Sequence, residues 1–317
     1  MIAKLHPVLE EMSPDVAVFL GDTNTVIGCI AAAQLNIPIV HIEGCMRSYD
    51  WRMPEEKYRT VIDHLSDVVY TYFPEYFDQG VAEGINPRNI VVIQNLIVDV
   101  LDDVYFSREQ DFDQLASPEF FADRGLEKGD YYLMTWHRRE NVEEDAPVKE
   151  IIALLNESPR PIYFPASYRT QKRLAAMGVV LPEQVKMVDP IGYKELLVLL
   201  VNSAGAVTDS GTVVEETAVL GVPSLQMRRS TERPQVYDCR SSVKFDPGSP
   251  QDYDAVDLFA KLEGLAGTQW EHALGDGLAS QRLVDDLVER LRSGTIRGHE
   301  AADHHLDIAR SYIGDGL

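Results

Sequence analysis

The chain has 317 residues, 45% of them hydrophobic, and a formal net charge of −22 from 29 basic and 51 acidic side chains. That length suits two domains rather than one, with apolar residues enough for a sizeable core. The acidic balance argues against nucleic acid or an anionic membrane as a partner held by bulk charge, yet leaves room for a nucleotide held by a few local cations. Three cysteines, Cys29, Cys45 and Cys239, show no metal-ligand spacing and cannot all pair, which reads as reduced thiols in a cytoplasmic protein. The opening MIAKLHPVLEEM is polar and amphipathic, unlike a signal peptide, and no apolar run reaches the length of a membrane span.

In chain order, the pattern predicts a helix over 1–12 and a short buried strand from Val16 to Leu20 that ends in Gly21-Asp22-Thr23. A helix from about Thr25 to Gln34 follows, then a strand from Ile37 to Ile42 ending at Glu43. Pro54 opens a helix whose first turn carries Glu55 and Glu56, where carboxylates complement the dipole. Val68 to Phe73, a helix over 75–83 and Ile90 to Ile93 continue the alternation. Short buried strands separated by helices predict a mostly parallel sheet covered on both faces. Residues 97–128 are polar and charged, with a break at Ser117-Pro118, and the domain boundary is expected here: a first domain over 1–104 and a second over 105–296. The second alternation has strands at Tyr131–Trp136, Ile162–Pro165, Val185–Val188, Ala204–Thr208, Pro223–Met227 and Val243–Phe245. From about residue 279 the tail reads as two helices, and the last, over 297–317, is expected to pack back on the first domain. The expected fold class is therefore α/β, with two Rossmann-like domains and a ligand at the carboxyl ends of their strands, in the cleft between them.

The stretch 205–234 is the most informative. An apolar strand runs into Thr208-Asp209-Ser210-Gly211-Thr212, a helix with Glu215 and Glu216 follows at once, and a second strand leads to Arg228, Arg229 and Arg233. Small residues at a helix N-terminus present free N–H groups suited to a phosphate, an acid one or two turns on could reach ribose hydroxyls, and the arginines could balance phosphate charge. The same pattern also fits an ordinary strand–helix turn capped by Ser210. Asp22, Glu43, His137 and Ser210 all fall at carboxyl ends of strands. Asp22 could equally cap the next helix, and Glu55 could be only a dipole partner. His137, followed by Arg138 and Arg139, looks like anion recognition, although either arginine could be a plain surface charge.

Taken together, GDTNT (21–25), HIEGCMRS (41–48), MPEEKYR (53–59), TWHRREN (135–141), TDSGTVVEE (208–216), LGVP (220–223), STERP (230–234) and GDGLASQRLV (275–284) resemble the non-hydrolysing bacterial UDP-N-acetylglucosamine 2-epimerases, in family order along nearly the whole chain. The resemblance implies a two-domain GT-B fold, a UDP-sugar substrate, no metal or cofactor and a homodimer. The C2 proton of an N-acetylhexosamine is not acidic. Inversion there needs either transient oxidation at C3 by NAD or elimination of UDP to a glycal and re-addition on the other face. No G-x-G-x-x-G occurs, so the first route lacks its fingerprint. The second needs a base at C2, an acid for the returning proton and stabilisation of the departing phosphate. By resemblance, Asp22, Glu43 and Glu55 are the carboxylates near C2 and His137 contacts the leaving phosphate. Ser210, Gly211, Thr212 and Arg233 belong to the UDP site, and Glu216 holds the ribose. Which carboxylate is acid and which is base stays open, and crowding can keep one of them protonated. A hydrolysing 2-epimerase releasing N-acetylmannosamine, or a non-catalytic UDP-sugar binder, are the alternatives.

The departures from the family are also readable. On the order of seventy family residues, including an arginine-bearing GTRPE-like loop, are absent before the helix that precedes GDTNT. The first domain is therefore expected to hold three or four strands with an exposed edge, and to lack allosteric activation by substrate. Thr212 stands for the second glycine of SGG, Tyr58 for an asparagine, Ser167 for a histidine, Leu196 for an aromatic that stacks on uracil, and Gln94-Asn95-Leu96 for GNT. The loop from Glu43 to Pro54 is shorter than usual. These changes point to an altered substrate or a specialised pathway.

Overall fold

A computed structural model describes residues 1–296. Its contacts divide the chain into two units, Met1–Leu96 continued from Gly275, and Ile97–Leu274. The sequence-based boundary at 104/105 lies one short helix, Leu96–Val104, beyond the first of these junctions.

The first unit is a four-stranded parallel sheet in the order β1-β2-β3-β4, with β1 at Ala17–Leu20, β2 at Ile39–Ile42, β3 at Val68–Thr71 and β4 at Ile90–Val92. Each predicted strand is present, shorter at its ends. The predicted helix from Thr25 is split: Asn24–Gly28 winds as a 3-10 helix and Cys29–Gln34 as α. Every residue of β3 is buried, as a central parallel strand requires, whereas β1 alternates, with Val18 and Leu20 exposed on its outer face. Val26, Cys29, Ala32, Ile37, Ile39 and Ile62 form the core beside it. The helix Ala279–Ser293 belongs to this unit because its polar face is tied to the sheet. Tyr70 donates to Asp286 (2.8 Å), Arg282 to the Gln94 side chain (2.9 Å) and Arg290 to the Arg88 carbonyl (3.2 Å). The helix expected over 297–317 lies outside the described residues.

The second unit has six parallel strands in the order β10-β9-β8-β5-β6-β7: β5 at Tyr132–Thr135, β6 at Ile162–Pro165, β7 at Val185–Val188, β8 at Gly205–Thr208, β9 at Ser224–Met227 and β10 at Ser242–Phe245. Its core is aromatic and aliphatic, with Tyr132 stacked on Phe259 and Trp136 on Phe164. The strand order reverses between β5 and β8, and such a switch point opens a crevice at the carboxyl ends where α/β proteins bind ligands. The segment 97–128, read from sequence as polar connection, holds the short helices Leu96–Val104, Glu109–Leu115 and Pro118–Ala122. Leu101 and Phe112 pack there against Leu197 and Val198.

Candidate active site

In the first unit the carboxylates gather at the ends of β1 and β2. Gly21 turns the chain at φ +73°, a backbone that glycine adopts without strain, and delivers Asp22. The Asp22 carboxylate does not cap the next helix. That cap position is Thr23, whose hydroxyl caps no helix N–H and donates instead to the Thr25 hydroxyl at 3.2 Å, and Asp22 is held by Arg59 at 2.6 Å. Glu43 follows β2 with φ 69°, a left-handed backbone that a long side chain adopts only under constraint. Its carboxylate lies 3.4 Å from the same Arg59 nitrogen and accepts from the Tyr72 hydroxyl at 3.5 Å. Arg59 is buried, so one desolvated guanidinium offsets two carboxylates that themselves stay partly exposed. Glu55 lies four residues earlier on the helix Pro54–Leu65, hence on the same face as Arg59. The neighbouring Glu56 is buried and accepts from the Ser48 N–H (3.0 Å), the Ser48 hydroxyl (2.9 Å) and the Tyr49 N–H (2.9 Å), fixing the loop before the helix.

In the second unit the switch point brings together the ends of β5 and β8. Asp209, buried, accepts from the N–H groups of His137 (3.1 Å) and Arg138 (2.8 Å) and from the Asn141 amide (3.3 Å). It also lies 3.4 Å from His137 Nδ1, which orients an imidazole whose side chain is 48% exposed and so open to a ligand. Ser210 caps the helix Gly211–Leu220, its hydroxyl accepting from Val213 N–H at 3.3 Å, while its carbonyl accepts from Val214. The capping and phosphate readings of Ser210 are therefore compatible: the cap takes the third N–H of the helix and leaves those of Gly211 and Thr212 without intrahelical acceptors. A side chain at Gly211 would have to displace Arg233, since a Cβ there would lie 2.6 Å from an Arg233 guanidinium nitrogen. Arg233 is not a loose cation; it pairs with Glu215 at 3.0 Å and with Glu232. Glu232 also takes Arg228 at 2.9 Å and Arg138 at 3.5 Å. Glu216 is buried, accepts from the Tyr193 hydroxyl at 2.7 Å, and is pushed up to about 7 by burial, against the opposing pull of that hydrogen bond.

Arg59, Asp209, Glu232 and Tyr193 hold candidate site residues in place, and the sequence alone did not single them out. Arg59 carried a signal, its place one turn after Glu55. Asp209 carried one in the TDSG turn, where it stood beside the more conspicuous Ser210. Of the family departures, Ser167 caps the helix Tyr168–Ala176 and Leu196 packs against the apolar cluster around Tyr131 and Leu133. Among the described residues no cluster of three or more metal-ligating side chains occurs, and no helix is long and apolar enough to cross a membrane.

Two Rossmann-like parallel α/β units of this kind place the chain in the GT-B class of nucleotide-sugar enzymes. The family model described as UDP-N-acetylglucosamine 2-epimerase matches residues 1–288. A UDP-N-acetylglucosamine 2-epimerase of Methanocaldococcus jannaschii is 30% identical over 298 residues, 91% of this chain and 79% of that protein. A UDP-2,3-diacetamido-2,3-dideoxy-D-glucuronate 2-epimerase of Pseudomonas aeruginosa is 32% identical over 299 residues, again 91% and 79%. The crystal structure of the Methanocaldococcus jannaschii enzyme in complex with UDP-GlcNAc and UDP matches with a TM-score of 0.79 at 29% identity, covering 91% of this chain and 79% of that one. The chain belongs to the UDP-N-acetylglucosamine 2-epimerase family.

Proposed function

We propose that this chain interconverts UDP-N-acetylglucosamine and UDP-N-acetylmannosamine, or a closely related UDP-amino sugar, by elimination and re-addition of UDP. The observation that carries this reading is the pairing of Asp22 and Glu43 on one buried arginine, with Glu55 one turn away from it. One carboxylate takes the C2 proton. The C–H electron pair becomes the C1–C2 double bond, and the C1–O bond breaks with its electrons leaving on UDP. The reverse steps, with the proton delivered to the other face of C2 from a second carboxylate, give the epimer. The free N–H groups of Gly211 and Thr212, with His137, stabilise the phosphate charge that grows on departure, and Glu216 takes the ribose. Arg233, tied to Glu215 and Glu232, acts by packing on Gly211 and shaping the phosphate turn.

The relative named for a diacetamido-glucuronate keeps a substituted UDP sugar open as the natural substrate. Three free cysteines, two of them buried, fit a reducing compartment, and we place the enzyme in the cytoplasm as a homodimer serving polysaccharide or secondary-metabolite sugar synthesis. Proton NMR of UDP-N-acetylglucosamine incubated with the chain in D2O tests the reading. Deuterium at C2 with UDP still attached is the expected result. Free UDP with N-acetylmannosamine would replace it by the hydrolysing reaction, and no exchange on any UDP-amino sugar would overturn it.

A further inference from the structure

Beneath the paired carboxylates lies a second chain of charges, buried at His41, Asp63 and Arg47 and partly exposed at Glu83, that the reaction scheme does not use. His41, in β2, is 0% exposed. Its Nδ1 is 2.6 Å from the Asp63 carboxylate and its Nε2 is 2.8 Å from the carbonyl oxygen of Gly21. Both partners are acceptors only. An imidazole flanked in this way must donate from both nitrogens, which only its protonated form can do. Asp63 is also buried. Its other oxygen accepts from the Cys45 N–H at 3.0 Å and pairs with Arg47 at 2.7 Å, and Arg47 continues to Glu83 through two bonds of 2.9 and 2.6 Å. Two cations and two anions alternate, so the chain is neutral as a whole, the arrangement that offsets the desolvation of buried charges. Burial alone would push the Asp63 carboxyl up, but His41 and Arg47 outweigh it and hold the group below its ordinary range.

The anchoring points of this chain bracket the catalytic loops. The carbonyl that His41 holds belongs to the residue before Asp22. The amide that Asp63 holds belongs to Cys45, two residues after Glu43, and both Glu43 and Cys45 have left-handed backbones, with φ of 69° and 61°. We propose that His41, protonated on both ring nitrogens with Asp63 as its counterion, is a positioning residue that locks the Asp22 loop to the Glu43 loop. It touches neither substrate nor reacting atoms. It sets the separation of two carboxylates that must face the same carbon, and this inference rests on the reading of Asp22 and Glu43 as the groups acting at C2.

The test combines a spectrum with kinetics. In histidine-15N-labelled chain at neutral pH, the His41 ring is expected to show a proton on each nitrogen. Asp63→Asn, whose amide can donate to Nδ1, is expected to remove one of them. His41→Gln is expected to lower kcat roughly a hundredfold, the scale of a misplacement of about 1 Å, while KM for the UDP sugar stays within about threefold because the proposed UDP contacts lie elsewhere. A single ring proton on His41 in the unmodified chain, two protons surviving in Asp63→Asn, or a folded His41→Gln variant with unchanged kcat would each overturn the assignment. Should His41→Gln not fold, the ring spectra of the other two proteins decide it. An unmodified chain that turns over no UDP-amino sugar removes the proposed function, whereas the ring spectra still judge the protonation, so the two failures are distinguishable.

Discussion

Glu43 combines three features that a surface glutamate does not need: a left-handed backbone, a buried arginine partner and a tyrosine hydroxyl on its second oxygen. Replacing it by Gln keeps the shape and removes the proton-transfer capacity. We expect Glu43→Gln to lower kcat by about 10²- to 10⁴-fold, with UDP affinity by calorimetry unchanged. Glu216 supports a different prediction. Its carboxyl stays protonated in the folded chain to about pH 7, against an ordinary value of 4.5. Between those two pH values the folded state holds one more proton than the unfolded state, so this group's contribution falls as pH rises through that window and is flat above it. The loss amounts to roughly 3 kcal/mol at most. Glu216→Gln, which keeps an acceptor for Tyr193, should therefore match the unmodified chain in denaturant melts at pH 4.5 and exceed it at pH 8. Equal midpoints at pH 8 would count against a buried, protonated glutamate.

At the scale of elements, function is written in how strands end. The turn after β2 must bring Glu43 back towards the helix Pro54–Leu65, and Gly44 lies where no side chain fits: a Cβ would lie 2.2 Å from Val69 and 2.8 Å from Asp63. Gly44→Ala should cost about 1–3 kcal/mol by overpacking and lower the thermal midpoint. It should also depress turnover, since Glu43 is the adjacent residue. The alternation of strand and helix was legible from periodicity because buried parallel strands are short apolar runs between turn residues. The splitting of the helix after Asp22 and the helices within 97–128 were not. A 3-10 start and short amphipathic helices leave a weak periodic signal, and Leu101 and Phe112 show their role only against Leu197 and Val198.

At the scale of the whole molecule, the chain spans 79% of the length of the relatives described above, and among the described residues β1 forms the end of its sheet. Val18 and Leu20 are 48% and 58% exposed there, an apolar face on an edge strand of the kind that invites association. Sedimentation velocity of this chain is expected to show concentration-dependent association, and Val18→Lys should reduce it without altering C2 exchange. Unchanged association in that variant would place the contact elsewhere.

The amino-acid sequence by itself determined the two α/β alternations, the candidate carboxylates, His137 and the Ser210-Gly211-Thr212 turn. These are signals carried by neighbours in the chain, by periodicity and by residue type. Only the tertiary structure decided that Arg59 joins Asp22 to Glu43, that Arg233 is neutralised by Glu215 and Glu232, that Asp209 rather than Ser210 anchors the His137 loop, and that His41 reaches the Gly21 carbonyl. Each of these is a pairing made by a buried polar side chain (Arg59, Arg233, Asp209 or His41), most of them between residues far apart in sequence. A buried charge must find its partner wherever packing places one, and no local pattern records where that is.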